Sequence, residues 1–249
     1  MDPLVGLKKT SLVDYPRTIA ATIFLPGCNL RCPWCHNREL VENTPKDREG
    51  LLPLSQVFEQ LEKRKNVLGA AVITGGEPTL LSELGALVEE LHRMGFLVKV
   101  DTNGTRPDQL EKLFSVAASR PDYVALDLKL DPLRYGELVP PTEGTGDPKN
   151  REEKTWGENL KRSAELLVRY GVPHEFRTLV LPRNHLTNRD IEALAPLVDP
   201  SPWYFSAFRG GNCLDPRWNE REEPDQQAVK ALAGGAKKLG KPALIRVSP

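Results

Sequence analysis

The stretch IAATIFLPGCNLRCPWCHN, residues 19–37, joins a short apolar run directly to a cluster of cysteines. The apolar run covers residues 19–25 and ends at Pro26-Gly27, after which Cys28, Cys32 and Cys35 follow. Near-continuous apolar runs of this length are typical of strands that are buried on both faces of a sheet. The stretch therefore predicts a buried strand whose carboxyl end carries three thiols.

The same apolar pattern recurs along the chain and alternates with helical patterns. Further predicted strands cover residues 70–74, 96–100, 123–128, 176–181, 203–208 and 243–247. Between them, apolar residues spaced i, i+3, i+4 and i+7 predict amphipathic helices, as in residues 84–91 and 110–117. Alternating strands and helices favour parallel βαβ units, so the candidate architectures are a full or partial (β/α) barrel and a doubly wound sheet.

Local signals predict where several helices begin. Pro107 suits the first position of a helix. Thr155 with Glu158, and Thr187 with Asp190, have the spacing of capping boxes, which satisfy the free N–H groups at a helix start. The polar segment 131–154, rich in Pro and Gly, is predicted to be a long loop.

Polar residues follow the predicted strands at the point where each strand ends. They are Gly75-Gly76-Glu77 after the second strand, Asp101-Thr102-Asn103-Gly104 after the third, and Asp127 and Lys129 after the fourth. Both candidate architectures place function at the carboxyl ends of their strands. This clustering predicts an enzyme with its site at those ends.

Composition excludes several classes of protein. The chain has 249 residues, 39% hydrophobic and 27% charged, which is compatible with a folded core and excludes wholesale disorder. Lys+Arg and Asp+Glu are both 34, so we expect no nucleic-acid partner of the strongly basic kind. No apolar run approaches the ~20 residues of a membrane helix, and no secretory signal is visible, so we expect a cytoplasmic protein without a membrane partner.

The cysteines indicate metal binding or catalysis rather than a disulfide framework, because only four occur and three are clustered. Thiolates spaced Cys-x3-Cys-x2-Cys can bind three irons of a cubane cluster and leave the fourth iron open. Cys213, far away in the sequence, could in principle close the cluster. The alternative is a zinc ion held by the triplet and His36, although adjacent ligands Cys35 and His36 are awkward for one tetrahedral ion.

The triplet, with Trp34 before its last cysteine, resembles the first motif of the radical S-adenosylmethionine (SAM) superfamily. Gly75-Gly76-Glu77-Pro78 resembles the second motif. The resemblance covers about residues 4–210 and implies an α/β fold, a partial (β/α)6 barrel. We expect a single domain over residues 1–249, with a core of about 15–210 and a short C-terminal extension of about 211–249.

Two further segments narrow the resemblance. Residues 9–16, KTSLVDYP, and His36-Asn37 resemble glycyl-radical-enzyme activases, most of all the activating proteins of anaerobic ribonucleoside-triphosphate reductase. Asp101-Thr102-Asn103-Gly104 and Asp127-Leu128-Lys129 resemble segments of the pyruvate formate-lyase activase type. Arg17 departs from that group, which often has glycine after the Tyr-Pro pair.

The resemblance implies a mechanism and a partner. Cys28, Cys32 and Cys35 would hold a 4Fe-4S cluster, and SAM would chelate the fourth iron. Reduction through flavodoxin or ferredoxin would cleave SAM to methionine and a 5′-deoxyadenosyl radical, which would take a hydrogen atom from a glycine of a glycyl radical enzyme. The expected partner is an anaerobic ribonucleotide reductase.

The resemblance also implies which residues bind SAM. They are Trp34, Gly75, Gly76, Glu77, Thr102, Asn103, Asp127, Lys129 and Arg177. Trp34 would lie against the adenine, Glu77 would accept from the ammonium group, and Lys129 would pair with the carboxylate. Each of these residues has a structural alternative. Trp34 would only pack the cysteine loop, Glu77 would cap the start of a helix, and Lys129 would form a salt bridge at the barrel mouth. His36 is expected to be a hydrogen-bond donor beside the cluster rather than a ligand.

Two other functions stay open from the sequence. The same motifs serve radical SAM enzymes that act on a small molecule or a modified nucleotide. A zinc-stabilised binding protein without catalysis is the alternative from a different class.

Overall fold

The computed structural model describes residues 2–44, 46–140, 152–182 and 185–246. The chain divides into two compact units. The first unit contains Met1–Asn29, Asn37–Thr102 and Asp108–Val124, and the second contains Leu30–His36, Asn103–Pro107 and Ala125–Pro249. The boundary passes through the cysteine loop, so Cys28 belongs to the first unit and Cys32 and Cys35 belong to the second.

The first unit is built on a mixed sheet with the strand order β3-β1-β2-β4-β5. Its strands are β1 (Leu4–Tyr15), β2 (Thr18–Leu25), β3 (Leu52–Pro53), β4 (Ala70–Gly75) and β5 (Leu97–Thr102). β1 runs antiparallel to β2 and β3, whereas β2, β4 and β5 are parallel. Its helices are α1 (Arg38–Glu42), α2 (Leu54–Glu62), α3 (Leu84–Arg93) and α4 (Pro107–Ser115), of which Pro107 itself belongs to the second unit.

Small and β-branched residues fill the centre of this sheet. β2 and β4 pair in the register Ala20↔Ala70 to Leu25↔Gly75, and both strands are buried along most of their length. On α3, Leu84, Leu87, Val88 and Leu91 are all buried, so the apolar stripe read from the sequence is the face that packs.

The second unit carries a parallel sheet β7-β8-β9. β6 (Tyr123–Asp127) begins in the first unit and ends in this one, followed by α5 (Glu152–Arg169), β7 (His174–Val180), α6 (Asn188–Leu194), β8 (Trp203–Ala207), α7 (Gln226–Lys238) and β9 (Ala243–Ile245). Large aromatic side chains fill its core, and the indole N–H of buried Trp203 donates to Thr178 Oγ1 at 2.9 Å.

The prediction of parallel strands alternating with helices is confirmed, since each predicted run forms a strand with ends displaced by a few residues. The last predicted run, 243–247, is a strand as far as Ile245, and residue 247 lies outside the described residues. The sequence reading missed β1 and β3, which are half-exposed and do not form apolar runs. In the described part of the chain, no helix is long and apolar enough to cross a membrane.

Two boundary predictions are wrong and two are confirmed. α5 begins at Glu152, so Thr155 lies inside the helix and does not cap it. The predicted loop 131–154 contains a 3₁₀ helix at Pro132–Leu138 and the start of α5, while residues 141–151 lie outside the described residues. The Thr187–Asp190 capping box is present, and Asp190 Oδ2 accepts from Thr187 N and also from Thr187 Oγ1, each at 2.8 Å. Pro107 begins α4.

Candidate functional site

In the first unit, the turn after β4 packs directly against the end of β2. Gly76 N donates to Leu25 O at 2.9 Å, and Glu77 N donates to Gly27 O at 2.8 Å. A Cβ on Gly76 would lie 1.8 Å from Gly27 O. Gly75 has φ +127, a backbone conformation that residues with a side chain rarely adopt. The two glycines are therefore required by the close approach of this turn to the backbone that leads into Cys28.

The Glu77 carboxylate is fixed by hydroxyl and amide donors. It is 1% exposed, and its Oε1 accepts from Thr79 N at 3.1 Å, Thr79 Oγ1 at 2.6 Å and Thr102 Oγ1 at 2.6 Å. Thr102 is the last residue of β5, and Glu77 follows the neighbouring strand β4. The hydrogen bond from Thr102 therefore fixes Glu77 to the end of the adjacent strand. The capping role predicted as the alternative for Glu77 is present, since it caps the 3₁₀ turn Pro78–Leu80.

A buried lysine at β5 was missed by the sequence reading. Lys99 is 2% exposed, and its Nζ lies 3.1 Å from Asp101 Oδ1 and donates to Asp14 O at 2.7 Å. Lys99 was missed because it lies in a strand that was predicted from an apolar run, and a single buried charge in such a run produces no periodic pattern.

In the second unit, the cysteine loop holds Cys32, Trp34 and Cys35. Cys35 N donates to Cys32 O at 3.0 Å, so the last two cysteines of the triplet bracket a turn. Cys32 is buried, whereas Cys35, and Cys28 in the first unit, are half-buried. None of the four cysteines, Cys213 included, forms a disulfide.

The segment after β8 packs against this loop, which the sequence did not predict. Leu214 N donates to Cys35 O at 2.9 Å and Asp215 N donates to Pro33 O at 3.0 Å. The rings of Trp34 and Trp218 lie 5.2 Å apart at an angle of 51°. Trp34 is therefore packed in the loop, which is the structural alternative predicted for it.

His36 and Cys213 lie beside the same segment. His36 Nε2 is 2.5 Å from Arg209 O, so that nitrogen carries the hydrogen and donates to a backbone carbonyl. Cys213 is buried, and burial raises the pKa of its thiol, with a smaller contribution from the charge of Cys35. Cys213 therefore lies near Cys35 as a protonated thiol in the metal-free chain.

Asp127, Lys129 and Arg177 form one charged group in the second unit. Asp127 accepts from Arg177 Nε at 2.8 Å and from Lys129 Nζ at 3.1 Å. Burial raises the pKa of Asp127, but the charges and hydrogen bonds of both cations outweigh it and lower the pKa to about 2. Burial lowers the pKa of Lys129, yet Asp127 and, to a smaller extent, Cys32 raise it above its usual range.

Lys129 lies close enough to the cysteine loop to interact with it, since the charge of Cys32 contributes to the raised pKa of Lys129. Tyr135 closes the group by donating to Asp127 O at 3.3 Å and accepting from Lys129 N at 3.0 Å. The predicted salt bridge is present, and it joins Asp127 at the end of β6 to Arg177 in β7 and to Lys129.

Asn103 is placed differently from the other predicted residues. It is buried in the second unit, and its Oδ1 accepts from Thr105 N at 3.0 Å and Thr105 Oγ1 at 2.6 Å. The side-chain oxygen therefore stabilises the turn that precedes α4.

The donor chemistry of the cysteine loop fits an iron–sulfur cluster. Within the described ranges, no three His, Cys, Asp or Glu side chains are already grouped as a metal-ion site. The fit rests on three cysteines outside disulfides at Cys-x3-Cys-x2-Cys spacing, since thiolates are the ligands of such clusters. Cys28, Cys32 and Cys35 would hold the cluster, which would supply one electron when bound.

Parallel strands that alternate with helices define the chain as an α/β protein, and polar groups and cysteines follow the carboxyl ends of its strands, where such folds place their sites. The family model described as the radical SAM superfamily matches residues 22–195. The chain belongs to this superfamily. Membership implies an iron–sulfur cluster and SAM as cofactors, and the predicted fold class is confirmed.

Relatives of known name differ in how much of the chain they match. A Methanocaldococcus jannaschii protein named "putative glycyl-radical enzyme activating enzyme" is 30% identical over 97% of this chain and 94% of its own length. The 7-carboxy-7-deazaguanine synthase of Aquifex aeolicus is 41% identical over 33% of this chain and 35% of its own length. That of Hyperthermus butylicus is 29% identical over 66% of this chain and 69% of its own.

Solved structures share the fold at low sequence identity. A radical SAM methyltransferase from Sphaerobacter thermophilus has a TM-score of 0.64 and 19% identity over 94% of this chain and 67% of its own. SuiB from Streptococcus suis, bound to S-adenosylmethionine, has a TM-score of 0.59 and 13% identity over 92% of this chain and 52% of its own.

Proposed function

We propose that the protein is a radical SAM activase that reductively cleaves SAM and generates a glycyl radical on a partner enzyme. The partner that the proposal names is an anaerobic ribonucleotide reductase, with flavodoxin or ferredoxin as the electron donor. The observation that carries the proposal is the likeness to the Methanocaldococcus jannaschii protein, because it extends over 97% of the chain and beyond the residues of the family model.

The proposal gives each predicted residue a role that its surroundings permit. Cys28, Cys32 and Cys35 hold the cluster. Gly75 and Gly76 let the turn after β4 pack against the backbone at Leu25 and Gly27, which sets the position of Glu77 for the ligand. The fixed orientation of the Glu77 carboxylate, held by Thr79 and Thr102, suits an acceptor for the SAM ammonium group.

Charge favours the second-unit residues as the carboxylate site. Lys129 and Arg177 both form ion pairs with Asp127, so two cations lie at this carboxylate. Cations placed in this way suit the SAM carboxylate. Trp34 would lie against the adenine from the cysteine loop, and Asn103 acts through the turn that it stabilises.

The cofactor part of the proposal is tested by anaerobic iron–sulfur reconstitution followed by SAM and dithionite, with 5′-deoxyadenosine as the readout. We expect about four irons per chain and SAM cleavage. Cys32→Ala is expected to lose both. Cys213→Ala is the matched control, since that cysteine is no ligand in the proposal, and it is expected to keep both. Zinc binding without iron would contradict the proposal and favour a non-catalytic protein.

The activase part is tested with an anaerobic ribonucleotide reductase whose glycines carry deuterium on Cα. Hydrogen abstraction from glycine is expected to give a glycyl-radical EPR signal on the reductase and deuterium in 5′-deoxyadenosine. SAM cleavage without a protein radical or deuterium transfer would contradict this partner.

The second candidate is a radical SAM enzyme that acts on a small heterocycle or nucleotide. The observation in its favour is the 41% identity to a 7-carboxy-7-deazaguanine synthase, which is confined to 85 residues. Turnover of the substrate of that synthase, with no radical on the reductase, would favour this candidate.

A further inference from the structure

The post-β8 segment, residues 208–221, contacts the cysteine loop through backbone and side chains. Two backbone amides, those of Leu214 and Asp215, donate to the carbonyls of Cys35 and Pro33. His36 donates to Arg209 O from the loop side. The backbone between Cys32 and His36 is therefore held on one side by a segment about 180 residues later in the sequence.

Trp218 is the centre of the side-chain contacts. It is 4% exposed, and its ring lies 5.2 Å from Trp34, 5.7 Å from Phe208 and 4.7 Å from His185. The guanidinium carbon of Arg221 lies 4.5 Å from the ring centroid, in the position of a cation–π contact.

The segment also fixes its own conformation. The Asp215 carboxylate accepts from Arg217 N at 3.0 Å and caps the 3₁₀ turn Pro216–Trp218. The Asn219 side chain accepts from Cys213 N at 2.8 Å and closes the turn on its other side. The Trp218 ring is thus presented to Trp34 from a pre-organised backbone.

We propose that Trp218 is a positioning residue, which holds Trp34 and through it fixes the loop that carries Cys32 and Cys35 before any cofactor binds. The backbone hydrogen bonds to Pro33 and Cys35 fix the position of the loop against the post-β8 segment, and contact with the Trp218 ring sets the orientation of Trp34. The use of the loop for SAM rests on the proposed function, whereas the ordering of the loop does not.

The first test measures the ordering in the metal-free, cofactor-free chain. Cys32 is 7% exposed, so its alkylation by iodoacetamide, followed residue by residue by mass spectrometry, reports opening of the loop. Trp218→Ala removes the ring against which Trp34 packs, and we expect Cys32 to react about tenfold faster, which corresponds to about 1.4 kcal/mol in the opening equilibrium. Trp218→Phe keeps an aromatic ring, so its rate is expected to stay within about threefold of the wild type.

Trp203→Phe is the matched control, because Trp203 is buried in the same unit and contacts Phe205 rather than the loop. It is expected to lower the thermal midpoint without changing Cys32 alkylation. If Trp218→Ala does not fold, Trp218→Leu carries the same test, since it keeps apolar bulk without the ring. An unchanged Cys32 rate in the folded Trp218 variant, or an equal increase in Trp203→Phe, overturns the proposal.

The second test uses the reconstituted enzyme. Trp218→Ala is expected to raise the KM for SAM about tenfold with kcat within about threefold, and Trp218→Phe is expected to restore KM. An unchanged KM overturns the role of Trp218 in the site. Failure of the wild type to cleave SAM would instead contradict the proposed function and leave the alkylation result standing.

Discussion

Gly76→Ala tests the close approach between the turn after β4 and the backbone at Gly27. The added Cβ would lie 1.8 Å from Gly27 O, whereas real Cβ contacts essentially never fall below 3.0 Å. The turn must therefore move by at least about 1.2 Å, because the atoms that the added Cβ would meet belong to the backbone and cannot rotate away as a flexible side chain can. Such a shift breaks the bond from Glu77 N to Gly27 O, now 2.8 Å.

The cost follows from two contributions. Overpacking costs about 1–3 kcal/mol, and the lost hydrogen bond adds about 1 kcal/mol. We expect the free energy of unfolding to fall by about 3 kcal/mol, which lowers Tm by roughly 6–12 °C in a chain of this size. Iron uptake is expected to fall as well, because Cys28 N lies 3.2 Å from the same added Cβ.

Urea unfolding and thermal unfolding followed by circular dichroism measure the change. Gly234→Ala is the matched control, since the same methyl group added within α7 meets nothing within 4 Å. It is expected to stabilise by about 0.5–1 kcal/mol, because alanine is the better helix former. A Gly76→Ala Tm within about 2 °C of the wild type would falsify the steric reasoning.

Three further predictions concern stability. Arg17 has φ +58, so Arg17→Gly is expected to raise the free energy of unfolding by about 0.5–1 kcal/mol in urea, and a loss would contradict the strain. The folded pKa of Asp127 lies below its ordinary 3.8, so its contribution is present near neutral pH and lost as pH falls toward about 2. Asp127→Asn should therefore cost about 2 kcal/mol at pH 7 and flatten urea stability between about pH 4 and pH 2; an unchanged pH profile would argue against the pairing. Arg246→Ala removes two hydrogen bonds of 2.9 Å to Glu175, which is 1% exposed, and should cost about 1.5–3 kcal/mol by thermal unfolding, whereas a loss below about 0.5 kcal/mol would refute a strong pair.

The strands that were found and the strands that were missed differ in one physical property. The run 70–74 became β4 because its residues Ala70 to Ile73 are apolar and buried on both faces. β1 carries exposed Leu12 and Val13 as well as Lys8 and Lys9, and it is stabilised by pairing with β2, a contact that local sequence does not encode. The prediction that Thr155 caps α5 was wrong because the helix begins three residues earlier, at Glu152.

For the candidate site, strand ends were predictable and partners across the chain were not. The sequence placed Glu77, Asp127 and Lys129 after strands, because parallel strands end at a common edge. It gave no sign that Thr102 would hold Glu77, or that Lys99 would pair inside an apolar run. Those bonds depend on which strand ends are neighbours.

The sequence by itself determined the cysteine spacing, the two motifs and the alternation of strands and helices, because each depends on residues close together in the chain. Only the tertiary structure decided that Arg177 and Lys129 share Asp127 and that Trp218 packs on Trp34. Trp34 and Trp218 are separated by 184 positions, and a contact at that separation is fixed by the packing of strands and not by any local pattern.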